Sequence, residues 1–180
     1  GSAIPGTEIM ILSADGKPAP PQVAGEILCR TPMQFSGYYH QPETTRASFY
    51  GEFFRTGDLG KLDEQGFLYF LGRIKDIIVT GGVNVYPKDI EDVLLQHPAI
   101  KECAVIPVAE EALGEVVGVV LAFVDPASPP GIRELQRLCM KNLGDFQQPR
   151  HFFIVSELPK NAMGKINKPL LRETYSNLPV

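Results

Sequence analysis

The pattern of apolar and polar positions reads the first 70 residues as a succession of short strands, and periods of two and 3.6 mix after them. Residues 8–13 alternate, and Ala14-Asp15-Gly16-Lys17 follows as a turn whose glycine accepts a positive φ. The three prolines within residues 18–21 suit an extended connector. Residues 25–30 predict another short strand. Residues 32–42 are rich in aromatics, glycine and proline without a helical period, and predict a loop. Residues 59–62 and 66–71 flank Asp63-Glu64-Gln65-Gly66, a hairpin signal. This stretch is all-β, and a small barrel or sandwich lobe is its natural closure.

Beyond Gly72 the pattern changes. Residues 76–80 and 83–85 flank Gly81-Gly82 and predict two short strands around a tight turn. Pro87 stands where a helix can begin, and Ile90, Val93 and Leu94 give residues 88–96 an i, i+3, i+4 stripe that Pro98 closes. Residues 100–108 and 116–124 are strand-like and rich in valine and isoleucine. Residues 132–143 place Ile132, Leu135, Leu138 and Cys139 on one helical face ahead of Gly144. A strand over 151–155 and a short helix over 168–176 complete the order β-β-α-β-β-α-β-α. The expected class is α+β: a β-rich subdomain over 1–72, a junction over 73–76, and a compact α+β lobe over 77–180, large enough for its own core.

Composition narrows the function classes. The chain has 180 residues, 44% apolar and 21% charged, as a soluble globular protein would. No apolar run reaches the roughly 18–20 residues of a membrane span. A net charge of -4 argues against a nucleic-acid partner, because phosphate backbones demand a clustered basic face. Cys29, Cys103 and Cys139 are odd in number and widely spaced, which fits a reducing, cytoplasmic setting and reads each as a small buried apolar residue. The three histidines do not cluster with carboxylates or thiols at metal spacing, so no metal site is expected. Gly1-Ser2 reads as a cleavage scar, and an excised piece of a longer protein is the expectation.

Four groups of residues could carry chemistry. Arg55-Thr56-Gly57-Asp58, read as a turn, either presents a carboxylate to the cis-diol of a ribose or satisfies only its own backbone. Gly72-Arg73-Ile74-Lys75-Asp76, at the change of pattern, offers a guanidinium fork for hydroxyls or phosphate oxygens, or is a charged linker. Thr80-Gly81-Gly82-Val83-Asn84 lets a backbone approach a ligand closely, or makes a hairpin. Pro159-Lys160-Asn161-Ala162-Met163-Gly164-Lys165 sets a lysine on a glycine-bearing loop, able to neutralise charge developing on a phosphate or simply solvated.

Taken in order, these four segments, with Val85-Tyr86-Pro87 and Ile90-Glu91 extending the third, resemble the adenylate-forming superfamily, over about residues 25–172. That superfamily holds acyl-CoA synthetases, peptide-synthetase adenylation domains and beetle luciferase. Asn84-Val85-Tyr86-Pro87, with His97-Pro98 after the helix, looks most like the fatty- and aryl-acid:CoA branch. The resemblance implies that residues 1–72 are the end of a large N-terminal domain, a distorted barrel, and residues 77–180 a mobile C-terminal lid. It implies that Asp58 holds the ATP ribose hydroxyls, that Arg73 contacts ribose or phosphates, and that Lys75 is the hinge. By the same likeness Lys165 is the catalytic lysine, reaching the α-phosphate and the acyl carboxylate, and Gly81 and Gly82 line the path of the coenzyme A pantetheine. ATP, coenzyme A and a carboxylic acid are the implied ligands, with Mg2+ bound in the domain absent here. Two other readings stand beside it: a non-catalytic binding module that kept the fold, and an adenylation domain loading a carrier protein.

Overall fold

The computed structural model describes residues 1–176. Two compact units divide the chain, Gly1–Lys75 and Asp76–Val180.

In the first unit, strands β1 (Glu8–Leu12) and β2 (Gly25–Arg30) pair antiparallel, with Met10 opposite Leu28. Helix α1 (Pro42–Ala47) and the short β3 (Phe49–Tyr50) precede a ten-residue strand, β4 (Phe53–Leu62), and β5 (Leu68–Arg73) returns along it. The sheet runs β1-β2-β4-β3, with β5 also paired to β4. Ile11, Leu12, Ile27, Leu28 and Leu59 are its buried apolar side chains. The hairpin read at Asp63-Glu64-Gln65-Gly66 is present, with the Asp63 carboxylate accepting from the backbone of Gln65 at 3.0 Å and of Phe67 at 2.8 Å. Helix α1 carries no buried residue, so its six residues have no apolar stripe to signal it. It is held instead by Thr45, whose hydroxyl accepts from the Tyr38 amide at 2.8 Å and donates to the Gln41 carbonyl at 2.9 Å.

A 3-10 turn (Ile74–Asp76) ends the first unit and begins the second, which continues as β6 (Ile78–Thr80) and β7 (Val83–Val85), then α2 (Pro87–Leu94), β8 (Ile100–Glu110), β9 (Gly114–Phe123), α3 (Ile132–Asn142), β10 (His151–Ile154) and α4 (Lys168–Tyr175). The sheet order is β10-β9-β6-β7, with β8 on the other edge of β9 and β10 parallel to β9. One face of β9 (Val117, Val119, Leu121, Phe123) packs with Ile90 and Leu94 of α2 and Leu135 and Cys139 of α3. Val120 and Ala122, pointing the other way, pack with Leu158 and with Leu171 of α4. Burial on both faces explains why β9 reads as an unbroken apolar run rather than an alternation. Each fully buried leucine or isoleucine here contributes about 1.5–3 kcal/mol. The α+β class expected from the pattern is the one observed, with the β-rich part first.

Candidate functional site

Arg55, Thr56, Gly57 and Asp58, expected in a turn, lie instead within β4, where its pairing with β2 bulges. The β2–β4 register shifts between Glu26 and Leu28, and Gly57 takes φ +71°, a conformation that side-chain-bearing residues resist. A buried carboxylate organises this bulge. Glu26, 7% exposed, accepts from Arg55 Nε at 3.0 Å and Nη2 at 2.6 Å and from the Gly57 amide at 3.2 Å. The Thr56 hydroxyl donates to the Ile27 carbonyl at 2.7 Å and accepts from the Asp58 amide at 3.1 Å. The Glu26 carboxylate raises the pKa of Arg55, chiefly through this hydrogen bond. Sequence reading missed Glu26, although an acidic residue inside an otherwise apolar strand is a signal that it has a buried partner.

Beyond the bulge, Asp58 stands opposite Arg73 of β5. Arg73 Nε donates to Asp58 Oδ1 at 3.0 Å, and Asp58 Oδ2 has no partner among the described residues. Arg73 also lines a shallow cavity of about 340 Å³ together with Thr56, Gly57, Ile74 and Lys75. Three of the residues singled out from sequence, Asp58, Arg73 and Lys75, therefore gather at one end of the β4–β5 hairpin. Asp76, the first residue of the second unit, pairs with Arg172 of α4 at 2.7 Å.

Gly81 and Gly82 form the two-residue turn of the β6–β7 hairpin, with φ +55° and +83° and Thr80 opposite Val83. Positive φ at both positions is the turn that matches strand twist, so glycine suits each. The turn is braced from β9 and the loop before it. The Gly81 amide donates to the Leu113 carbonyl at 3.0 Å, and Glu115 Oε2 accepts from the Val79 amide at 3.0 Å. A Cβ on Gly81 would stand 3.2 Å from Leu113 Cδ2.

Lys165 lies on the loop between β10 and α4. Lys160 and Ile166 bridge across the base of that loop, and Gly164 takes φ +75° at its tip. Lys160 Nζ is 2.6 Å from Glu102 Oε1, which ties the base to β8. After the loop, Asn167 Oδ1 caps α4 by accepting from the Leu170 amide at 3.3 Å. The Lys165 side chain is exposed and makes no ion pair with any described residue. Lys168, three residues on, is paired with Glu91 at 2.7 Å, so the two lysines sit in opposite electrostatic settings. Among the described residues no group of three or more His, Cys, Asp or Glu side chains is placed to hold a metal ion. No described helix is long and apolar enough to cross a membrane.

Residues 89–165 match the AMP-binding enzyme C-terminal domain family. The chain is 43% identical over 159 residues to the 2-succinylbenzoate–CoA ligase of Geobacillus kaustophilus, covering 88% of this chain and 32% of that one. Among solved structures, ATP-bound MatB from Rhodopseudomonas palustris superposes with a TM-score of 0.92 at 38% identity, covering 99% of this chain and 36% of that one. The o-succinylbenzoate CoA synthetase of Bacillus subtilis, in complex with its acyl-adenylate intermediate, gives 0.90 at 34% identity, covering 98% and 36%. The chain thus spans about a third of the length of the relatives it matches. It belongs to the adenylate-forming superfamily and carries that superfamily's AMP-binding C-terminal domain.

Proposed function

We propose that the chain is the lysine-bearing, C-terminal part of an ATP-dependent acid:CoA ligase that forms an acyl-adenylate and then an acyl thioester. The observation that carries this reading is Lys165: an exposed ammonium with no counter-ion among the described residues, on a loop tied at its base, in a chain whose relatives are acid:CoA ligases. Attack of a carboxylate on an α-phosphate builds negative charge on the phosphate oxygens. A lysine that reaches them only in that step stabilises the transition state more than the ground state.

The other residues take roles that suit their settings. Asp58, with Oδ1 fixed by Arg73 and Oδ2 without a partner among the described residues, is suited to accept from vicinal ribose hydroxyls. Arg73 is exposed enough to reach the same sugar or a phosphate while keeping its bond to Asp58. Lys75, the last residue of the first unit, is the hinge about which residues 77–180 would turn between half-reactions, with 73–76 as the junction. The Gly81-Gly82 turn, without side chains, leaves room for the pantetheine of coenzyme A. ATP supplies the adenylyl group and coenzyme A the acceptor thiol. Magnesium would take its ligands from the rest of the enzyme, and a cytoplasmic setting suits both substrates.

The test separates the half-reactions in the full-length enzyme. Lys165→Ala is expected to lower acyl-adenylate formation by about 10²–10³-fold, the usual loss when one donor to a developing oxyanion is removed. Thioester formation from supplied acyl-adenylate is expected to change by less than about threefold, since Lys165 takes no part in it. Equal loss in both steps would make Lys165 structural. Wild-type enzyme that binds acyl-adenylate and forms none would mark a binding module, and transfer to a carrier protein in preference to coenzyme A would change the acceptor.

A further inference from the structure

We infer that Asn161 is the positioning residue for Lys165, fixing the backbone from which the lysine reaches its phosphate. The inference rests on the proposed role of Lys165. One residue binds both backbone polar groups of that lysine: Asn161 Oδ1 accepts from the Lys165 amide at 3.0 Å, and the Asn161 amide donates to the Lys165 carbonyl at 2.8 Å. The same Oδ1 accepts from the Met163 amide at 3.0 Å, and the Asn161 carbonyl accepts from the Gly164 amide at 2.9 Å. Four hydrogen bonds from Asn161 therefore close the 161–165 loop on itself.

Within residues 161–165 these are the hydrogen bonds found among the described residues. Asn161, Ala162, Met163, Gly164 and Lys165 are all exposed, with Met163 at 76%, so the described residues bury none of the loop in apolar packing. Its base is already secured from outside by the Lys160–Glu102 pair and by the Asn167 amide donating to the Pro159 carbonyl at 2.7 Å. Asn161 carries that fixed base forward to the Lys165 Cα. What remains free is the lysine side chain, whose four-carbon stem searches only from a fixed origin. Placement on this scale matters, since a shift of about 1 Å in a reacting group costs on the order of 10²-fold in rate.

The residue type also fits. A carboxamide oxygen accepts two amide protons without placing a negative charge beside an ammonium that must stay unpaired until it meets phosphate. Aspartate at the same place offers the same acceptor oxygen with an added charge, and alanine offers neither. The two substitutions therefore separate loop geometry from simple loss of a side chain.

Amide hydrogen exchange at Lys165 in the 180-residue chain would be read together with both half-reactions in the full-length enzyme. Asn161→Ala is expected to speed exchange at the Lys165 amide by about tenfold or more and to lower acyl-adenylate formation by about 10–10²-fold. Thioester formation from supplied acyl-adenylate is expected to stay within about twofold, because only the adenylation step uses Lys165. Asn161→Asp is expected to restore slow exchange and to recover adenylation to within about tenfold of wild type. Faster exchange with adenylation unchanged would overturn the inference, as would unchanged exchange, parallel loss of both half-reactions, or an Asn161→Asp enzyme with slow exchange and no recovery. Unimpaired adenylation in Lys165→Ala would overturn the reading of Lys165 itself. Impaired Lys165→Ala beside intact Asn161→Ala would overturn only the positioning role.

Discussion

Glu26 decides the shape of the Asp58 end of β4, although it stands apart from the four groups that attracted attention as chemistry. Its carboxylate holds the Arg55 guanidinium and the Gly57 amide at once, so the bulge that presents Asp58 depends on a residue 32 positions earlier. Glu26→Ala would leave the Gly57 amide without its acceptor inside the sheet. The expected loss is about 1.5–3 kcal/mol, the range for hydrogen bonds to a charged group, measured by urea unfolding of the chain. The full-length variant should also bind nucleotide less well, because Asp58 loses its support. A second residue-scale prediction concerns pH. The Lys160 ammonium, through its hydrogen bond, holds the Glu102 carboxyl below its ordinary value of 4.5, and Glu102 in turn holds Lys160 above its ordinary 10.5. A lowered carboxyl pKa adds stability that is present above the unfolded value and lost as pH falls through the folded one; a raised lysine pKa adds stability lost as pH rises through its folded value. The base of the Lys165 loop should therefore be steady between those limits and loosen progressively as pH falls below the ordinary carboxyl value, read as faster exchange at the Ile166 amide. No acid-side change in that exchange would show that the backbone alone holds the loop.

At the scale of elements, the sheet of the second unit shows what apolar pattern can and cannot reveal. The strand expected over 83–85 is observed with those bounds, and the helices over 88–96 and 132–143 appear as Pro87–Leu94 and Ile132–Asn142. These elements were legible because each buries a stripe or a face. The bulge between β2 and β4 and helix α1 were not, because both are held by polar side chains, Glu26 and Thr45, whose partners are distant or off-period. The outer edge of β8 is a similar case. Its Val105 amide is taken by Glu91 Oε1 at 2.8 Å, its Ala109 amide by the Ser176 carbonyl at 2.9 Å, and Pro107 has no amide to offer. An eleven-residue edge strand blunted in this way does not invite pairing with another chain. Close packing between strands gives the sharpest test of the element scale. Gly118 of β9 lies between Ile106 of β8 and His151 of β10, and a Cβ there would come 2.5 Å from Val108 Cγ2 and 3.5 Å from the Ile106 carbonyl oxygen. Gly118→Ala should destabilise the second unit by about 1–3 kcal/mol, the usual cost of overpacking, with a lower urea midpoint and an unchanged slope. A neutral result would mean that Val108 rotates away at no cost.

Across the whole molecule, the proposed division of labour between recognition and catalysis rests on which groups each unit carries. The first unit gathers Asp58, Arg73 and Lys75, and the second presents Lys165 and the Gly81-Gly82 turn. Their order along the sequence made the family legible before any coordinates, because four weak signals in a set succession are specific where each alone is not. What that order could not convey was the support beneath each one, since Glu26, Asn161 and Glu115 act through hydrogen bonds to backbone groups that leave no periodic trace. The chain also spans only about a third of its relatives' length, and this bears on what it can do by itself. A lysine on an exposed loop stabilises charge only when acid and ATP are already held in line. Effective molarities that reach 10⁵–10⁸ M in well-oriented systems come from that holding and not from the lysine. The 180-residue chain alone, supplied with ATP, magnesium and a fatty or aromatic acid, is therefore expected to release no pyrophosphate above the buffer blank. Release that depends on the acid and disappears in Lys165→Ala would show that these two units hold both substrates unaided, and the proposed partition between this chain and the rest of the ligase would fall.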